Sequence, residues 1–184
     1  MPKRGGTLRI VAGEFGGRAI RIPLAARPTT ERVRGAIFDA LQAAPPARVL
    51  DCFAASGGLG IEALSRGAEF VLFVERSPQA AAVIDRNLAS LGIAGVASVV
   101  TANALTVDLA VYGPFALALA DPPYAFVDWD RLWVNLLRPG VLTDDALLVF
   151  EHSSRVSPPA PAAGWIIWKS RTGGDTSFTI YRKG

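Results

Sequence analysis

Apolar and polar positions alternate in the first part of the chain, and this spacing predicts a β-hairpin. Two short alternating runs, Thr7 to Ala12 and Arg18 to Pro23, flank a turn that contains Gly16 and Gly17. Glycine adopts the positive φ angles that tight hairpin turns require, so the turn composition supports the same prediction. We therefore expect an N-terminal hairpin extension over residues 1–26, ahead of a main domain over residues 27–184.

Helical spacing follows the hairpin. Apolar residues recur every three or four positions from Val33 to Leu41, ahead of the helix breaker Pro45-Pro46. Thr29 or Thr30 is suited to cap the first turn, because a hydroxyl there can accept from a backbone N–H group that has no partner within the helix. The pattern predicts one amphipathic helix.

From Arg48 onward, short apolar runs alternate with helical patterns. The predicted strands are Val49–Phe53, Phe70–Glu75, Ala97–Ala102, Phe115–Ala120 and Ala146–Glu151. The predicted helices are Gly60–Arg66, Pro78–Leu91, a short Leu105–Val111 and Asp130–Leu137. Strands that are apolar on both faces indicate a parallel sheet covered by helices, so the fold class is α/β. Trp165–Ser170 and Ser177–Arg182 flank a Gly-Gly pair and predict a closing antiparallel hairpin.

Composition supports a compact domain and excludes several kinds of chemistry. Of the 184 residues, 51% are hydrophobic and 19% are charged, as in ordinary globular proteins. Cys52 is the only cysteine and His152 the only histidine. An internal disulfide and a two-histidine zinc site are therefore impossible, and we expect no metal site and no histidine-dependent triad. Because no apolar run reaches about 18 residues, we expect a cytoplasmic protein without a membrane span. We also expect a monomer.

Positive charge is concentrated at one end of the chain. The net charge is +3, but residues 1–34 carry eight basic and two acidic side chains, which sum to +6. This imbalance indicates that an N-terminal arm contacts a polyanion; the alternative is a solvated arm that binds nothing. The residues predicted to contact nucleic acid are Arg4, Arg9, Arg18, Arg21, Arg27, Thr29, Arg32 and Arg34.

Small and polar residues cluster at the ends of the first three predicted parallel strands. A glycine-rich turn from Asp51 to Gly60 follows the first strand, Glu75 ends the second, and Asn103 follows the third. Doubly wound folds bind cofactors at this edge of the sheet. Glu75 is suited to accept the hydroxyls of a ribose and Asn103 to bond an adenine edge, with room for the ring beside Ala104.

We therefore predict a nucleoside-containing cofactor at this edge. The predicted contacts are Asp51, Phe53, Ala54, Ala55, Ser56, Gly57, Leu59, Gly60, Glu75, Arg76, Asn103 and Ala104. A nicotinamide dinucleotide is the weaker interpretation, because the turn lacks the glycine that opens the G-x-G-x-x-G pattern. Each residue also has a simple structural alternative: Asp51 as a helix cap, Glu75 as a strand end and Asn103 as a turn residue.

Asp121-Pro122-Pro123-Tyr124 directly follows the fourth parallel strand and carries the predicted chemistry. Two successive prolines remove two N–H donors, so the Pro122 carbonyl and the Asp121 carboxylate can both accept from one NH2 group. This favours a pyramidal nitrogen whose lone pair is released toward an electrophile, while Tyr124 offers a stacking surface for a base. The alternative is a rigid turn that leaves a strand.

Three segments together resemble a known family. They are R-P-T-T-E-R-V-R at residues 27–34, the run from Asp51 to Gly67, and D-P-P-Y at residues 121–124. In this order they are similar to the bacterial methyltransferases that modify guanine N2 in small-subunit (16S) ribosomal RNA, over nearly the whole chain. One departure is Ala55, which stands where the family pattern has glycine; a second is the Ala12-Gly13 turn, where the family has two glycines.

The resemblance implies a class I S-adenosylmethionine-dependent methyltransferase fold. This fold is Rossmann-like, with a seven-stranded, mostly parallel sheet whose last strand is antiparallel. It further implies S-adenosyl-L-methionine as the cofactor, and small-subunit ribosomal RNA or an assembling 30S particle as the partner. Two alternatives stay open: adenine-N6 methylation of DNA or RNA, and a catalytically inactive RNA-binding ribosome assembly factor.

Overall fold

A computed structural model describes residues 6–24, 29–41 and 47–184. The strands are β1 (Thr7–Arg9), β2 (Ala19–Arg21), β3 (Arg48–Cys52), β4 (Phe70–Glu75), β5 (Ala97–Thr101), β6 (Phe115–Ala120), β7 (Leu142–Ser153), β8 (Trp165–Gly173) and β9 (Thr176–Lys183). The helices are α1 (Glu31–Leu41), α2 (Gly58–Ser65), α3 (Pro78–Leu91) and α4 (Trp129–Leu136), with short 3-10 turns at Ala94–Val96 and Leu109–Val111.

Seven of the strands form one sheet, in the order β5-β4-β3-β6-β7-β9-β8. Strands β3 to β7 pair in parallel, whereas β9 is antiparallel to both of its neighbours. The strand order reverses at β3, with β4 on one side and β6 on the other, so the carboxyl ends of these strands border a crevice. The predicted α/β class, the seven strands and the antiparallel last strand are confirmed.

Two apolar layers cover the two faces of this sheet. One contains the buried side chains of α1, α2 and α3, together with Leu8, Ile10, Phe15 and Ile20 from the N-terminal hairpin. The other is built around α4 and packs aromatic residues of the last strands against it. The hairpin therefore shares the core of the main sheet. The predicted boundary between residues 26 and 27 lies outside the described residues.

Buried polar side chains fasten the hairpin to the helices. Glu62 on α2 is fully buried and accepts from the backbone N–H groups of Val11 and Ala12 at 2.8 and 3.1 Å. Asn87 on α3 bonds both the N–H and the carbonyl of Arg21, each at 2.9 Å. Because Val11 and Ala12 donate to Glu62 in this way, β1 ends at Arg9 and the hairpin strands are shorter than predicted.

The predicted helix from Leu105 to Val111 is wrong. Only the 3-10 turn Leu109–Val111 forms there. Asn103 begins a turn instead, since its side chain accepts from the Leu105 N–H at 3.0 Å. The Asn135 amide on α4 donates to the carbonyls of Ala104 and Val107 at 2.8 and 3.1 Å, which satisfies them without a helix. Within the described residues, no helix is long and apolar enough to cross a bilayer.

Candidate active site

A cavity of about 760 Å³ lies at the carboxyl ends of β3, β4, β6 and β7. The predicted site residues that line it are Asp51, Phe53, Ala54, Ala55, Ser56, Leu59, Glu75, Arg76, Asn103, Ala104, Asp121, Pro122, Pro123 and Tyr124. The fold thus brings the two predicted halves of the site, the glycine-rich turn and the D-P-P-Y segment, to one cavity. This follows from the parallel pairing of β3 with both β4 and β6.

Glu75 ends β4 with both carboxylate oxygens bonded to backbone. The Ala55 N–H donates to Oε2 at 2.9 Å, and the Ser77 N–H donates to Oε1 at 2.8 Å. These bonds tie the end of β4 to the turn after β3 and fix the carboxylate at the cavity wall. Each carboxylate oxygen can accept a second donor, so the side chain retains capacity for two ligand hydroxyls.

The turn after β3 has an unusual backbone. Phe53 and Ala55 have φ angles of 58° and 50°, in the left-handed region that normally favours glycine. The Ala54 N–H donates to the Val74 carbonyl at 3.1 Å, and the Gly57 N–H to the Ala54 carbonyl at 2.6 Å, so the turn is tightly bonded. Ala55 therefore retains the conformation that suits a glycine, at a cost of about 1–2 kcal/mol.

Asp51 is almost completely buried, with 1% of its surface exposed. Its Oδ2 accepts from the Gly60 N–H in the first turn of α2 at 2.9 Å. Asp51 therefore caps this helix, which is the structural role predicted from the sequence as an alternative to cofactor binding. Burial raises the pKa of Asp51 to about 8, and the negative charges of Asp121 and Glu75 act in the same direction. Asp51 consequently keeps its proton at neutral pH.

Two glycines of the turn have a packing role that differs from the predicted cofactor contact. Neither Gly57 nor Gly60 is part of the cavity lining. A Cβ atom on Gly60 would lie 2.3 Å from the Phe73 ring, so glycine is needed there for α2 to approach the sheet. Gly57 precedes α2 with a φ of 78°. Gly58, which was not predicted, lines the cavity in their place.

The D-P-P-Y segment forms a rigid turn after β6. Pro122 is buried and Pro123 is exposed, and the Pro123 carbonyl accepts from the Phe126 N–H at 2.8 Å. Within the described part of the chain, no hydrogen bond reaches the Pro122 carbonyl, as the double proline predicts. The Tyr124 hydroxyl bonds the Thr176 hydroxyl at the start of β9, which fixes the ring at the cavity mouth.

Several residues of the site were not predicted for it. Thr29 was expected to contact nucleic acid, yet it is buried, and its hydroxyl donates to Asp121 Oδ2 at 2.5 Å. Glu151 near the end of β7 is buried beside the cavity, and Thr176 reaches it from β9. Glu151 had a usable signal, because it ends the fifth predicted strand at the same sheet edge. Thr29 and Thr176 had none, since only tertiary packing brings them there.

The N-terminal basic residues divide into two groups. Arg9, Arg18, Arg21 and Arg32 are exposed, whereas Arg4 and Arg27 lie outside the described residues. Arg34 is 1% exposed, which contradicts the predicted surface contact with nucleic acid. Its position in the first turn of an amphipathic helix turns it inward.

Arg34 instead bonds backbone carbonyls. Its Nη1 donates to the Thr29 carbonyl at 2.6 Å, and its Nη2 donates to the Arg9 carbonyl. Burial lowers the pKa of Arg34, while the charges of Glu62, Glu31 and Glu151 raise it. Guanidinium groups stay charged even when buried, so Arg34 places a cation behind the acidic wall of the cavity.

Comparison with known proteins identifies the family. The family described as conserved hypothetical protein 95 matches residues 8–182. The chain belongs to this family. Ribosomal RNA small subunit methyltransferase D from Escherichia coli K12 is 35% identical over 97% of this chain and 91% of its own length. The family match and this relative together confirm the resemblance noted from the sequence.

Solved structures agree with this family assignment. The Escherichia coli protein yhhF matches with a TM-score of 0.83 at 32% identity, covering 97% of this chain and 98% of its own. PH1948 from Pyrococcus horikoshii, at 16% identity over 87% of each chain, shares the fold with a TM-score of 0.66. The fold is the class I methyltransferase fold, as expected. Among residues 6–24, 29–41 and 47–184, no cluster of three or more His, Cys, Asp or Glu side chains is arranged to bind a metal.

Replacing Ala55 by glycine is expected to stabilise the protein. Glycine removes the steric cost of the positive φ but increases the entropy of the unfolded chain, which leaves a net gain of about 0.5–1 kcal/mol. For a chain of this size the midpoint of thermal unfolding should rise by about 2–4 °C per kcal/mol. Ala54→Gly is the matched control and should destabilise, because Ala54 is buried and its φ is not positive. A lower midpoint for Ala55→Gly would contradict this account of the turn.

Asp51 should give stability a pH dependence of defined sign. The pKa of Asp51 is about 8 in the folded state, against an ordinary value of 3.8. Between about pH 4 and pH 8, Asp51 is therefore protonated in the folded state and ionised in the unfolded state. Its contribution to the free energy of unfolding therefore falls as pH rises from about 4 to 8, by up to about 1.4 kcal/mol per pH unit. Urea denaturation at pH 5, 6, 7 and 8 measures this slope.

The neutral variant Asp51→Asn should remove that contribution, whereas Asp85→Asn, at an exposed position of α3, should leave the slope as in the wild type. If Asp51→Asn and the wild type show the same slope, Asp51 is not protonated in the folded state.

Proposed function

We propose that this chain transfers a methyl group from S-adenosyl-L-methionine to the exocyclic N2 of a guanine in small-subunit ribosomal RNA. The observation that carries the proposal is that Asp121, Pro122 and Tyr124 line the same cavity as Glu75 and Asn103. One side of the cavity is suited to a nucleoside cofactor and the other to an aromatic amine. The name of the Escherichia coli relative, a ribosomal RNA small subunit methyltransferase, supports the same substrate class.

The residues present fit S-adenosylmethionine better than a dinucleotide. Glu75 offers a fixed carboxylate for the ribose hydroxyls. The side-chain oxygen of Asn103 already accepts from the Leu105 N–H. The side-chain NH2 group of Asn103 is therefore the part that can donate to an adenine nitrogen. The acidic side chains Asp121 and Glu151 at the same cavity favour a cationic sulfonium and disfavour a pyrophosphate. When bound, S-adenosylmethionine supplies an electrophilic methyl group.

Asp121 and Pro122 prepare the amino group for attack. A guanine NH2 donates little lone-pair density while it stays conjugated with the ring. Acceptors at the Asp121 carboxylate and the Pro122 carbonyl bind its two hydrogens and favour a pyramidal nitrogen with an available lone pair. Asp121 is also the group that accepts the proton lost from nitrogen. These steps need correct positioning but no metal ligand and no covalent enzyme intermediate.

Tyr124 and the exposed arginines account for RNA binding in this proposal. The Tyr124 ring is 40% exposed at the cavity mouth, where it can stack on a base turned out of its helix. Arg9, Arg18 and Arg21 extend the positive surface along the hairpin, which packs beside the cavity through Leu8. Phosphate contacts of this kind supply affinity without selecting a sequence. Adenine-N6 methylation uses the same amino-group chemistry and is the main alternative.

Asp121→Ala should lower the rate of methyl transfer by at least about 100-fold, because it removes both a hydrogen-bond acceptor and the proton acceptor. The measurement is incorporation of labelled methyl into small-subunit RNA or particles that lack the modification. Binding of S-adenosylmethionine, followed by calorimetry, should persist because Glu75 and Asn103 are intact.

Asp85→Asn, which changes an exposed carboxylate on α3, should transfer methyl groups at the wild-type rate. A wild-type protein that binds no S-adenosylmethionine would favour an inactive RNA-binding assembly factor. Equal rates for Asp121→Ala and the wild type would exclude the proposed role of the D-P-P-Y segment.

A further inference from the structure

Thr29 connects the segment before α1 to the carboxylate of Asp121. Its hydroxyl donates to Asp121 Oδ2 at 2.5 Å, although 92 residues separate the two in sequence. Thr29 is 9% exposed, so the bond is largely shielded from water. Hydrogen bonds to an ionised carboxylate are about twice as strong as those between neutral groups, and a buried setting strengthens them further.

Thr29 is itself fixed from the opposite side. The buried guanidinium of Arg34 donates to the Thr29 carbonyl at 2.6 Å and to the Arg9 carbonyl on β1. The neighbouring Thr30 caps α1, with its hydroxyl accepting from the Val33 N–H at 3.3 Å. The backbone at Thr29 is therefore held between a helix start and the hairpin, and its hydroxyl reaches Asp121 from a rigid support.

The carboxylates around Asp121 give such a donor an electrostatic role, alongside the arginines Arg34, Arg76 and Arg131 that also line the cavity. Asp121 shares the cavity with Glu75 and Glu151, and its charge raises the pKa of Asp51. In a partly buried site, like charges repel one another. Orientations of the Asp121 side chain that bring its carboxylate close to Glu75 or Glu151 are therefore disfavoured. A donated hydrogen bond from Thr29 opposes this repulsion and selects one orientation.

We infer that Thr29 is a positioning residue for methyl transfer. Its hydroxyl fixes the orientation in which the Asp121 carboxylate accepts from the amino group, and so keeps that carboxylate aligned with the Pro122 carbonyl. The inference rests on the proposed function, because it assigns Thr29 to the reaction in which Asp121 is the acceptor. Misplacement of a reacting group by about 1 Å costs on the order of 100-fold in rate, which sets the scale of the expected effect.

The test compares Thr29→Val with Thr29→Ser in steady-state methyl transfer. Valine keeps the shape of threonine but lacks the donor, so kcat should fall by about 10- to 100-fold while KM for S-adenosylmethionine changes by less than about 2-fold. Serine keeps the hydroxyl and should restore kcat to within about 3-fold of the wild type. Thermal unfolding of each variant checks that it is folded.

Thr143→Val is the matched control. The Thr143 hydroxyl also donates to a carboxylate, Asp145 Oδ1 at 2.8 Å, but at the end of β7 that lies away from the cavity. This variant should leave kcat unchanged. A Thr29→Val variant with the kcat of the wild type would overturn the inference. A Thr29→Ser variant as slow as Thr29→Val would also overturn it, because the effect would then come from packing and not from the hydroxyl.

A spectroscopic measurement separates this inference from the proposed function. The carboxyl carbon of Asp121, assigned by NMR through Asp121→Asn, should change its chemical shift in Thr29→Val and keep it in Thr143→Val. This readout needs no substrate. If the wild type transfers no methyl group but the shift changes, the proposed function fails while the Thr29 contact stands; an unchanged shift would overturn the contact itself.

Discussion

The site depends on one constraint: parallel strands that meet at a single sheet edge bring several carboxylates into one cavity. Asp51, Glu75, Asp121 and Glu151 come from four different strand ends, and their mutual repulsion must be offset for the fold to persist. The described structure offsets it with the positive charges of Arg34, Arg76 and Arg131, which line the same cavity, and in three further ways. Backbone N–H groups donate to Asp51 and Glu75, the Thr29 hydroxyl donates to Asp121, and Asp51 keeps its proton. The carboxylates that stay ionised at this edge can attract a cationic ligand.

The N-terminal hairpin is part of this arrangement and not a loosely attached arm. Glu62 and Asn87 are buried on α2 and α3 and satisfy hairpin backbone groups. Arg34 bonds the carbonyls of Arg9 and Thr29 at once, so the hairpin and the segment beside Asp121 share one buried cation. The surface proposed to bind RNA is thereby connected to the proposed acceptor group through Arg34, whose two Nη atoms bond both segments.

Sequence patterns predicted the strands, their parallel pairing and about half of the cavity lining. Glu75, Asn103 and Asp121 could be predicted because each stands at a strand end whose position the alternation already defines. The exceptions share a physical cause. A glycine at position 60 could leave space either for a bound ligand or for the Phe73 ring, and the sequence does not distinguish these roles. The packed structure shows that the space is taken by the Phe73 ring. Arg34 carries a surface-type side chain, but helical spacing turns it inward. Thr29 has no local signal, since its partner lies 92 residues away.

The most direct test of the central claim is the identity of the methylated nucleoside. Small-subunit RNA that lacks the modification is incubated with the protein and labelled S-adenosylmethionine, digested to nucleosides and analysed by mass spectrometry. The account predicts label in N2-methylguanosine and none in N6-methyladenosine. Label in methyladenosine alone would contradict the guanine assignment, and the absence of label from every nucleoside would contradict the proposal that Asp121 to Tyr124 receive an RNA base.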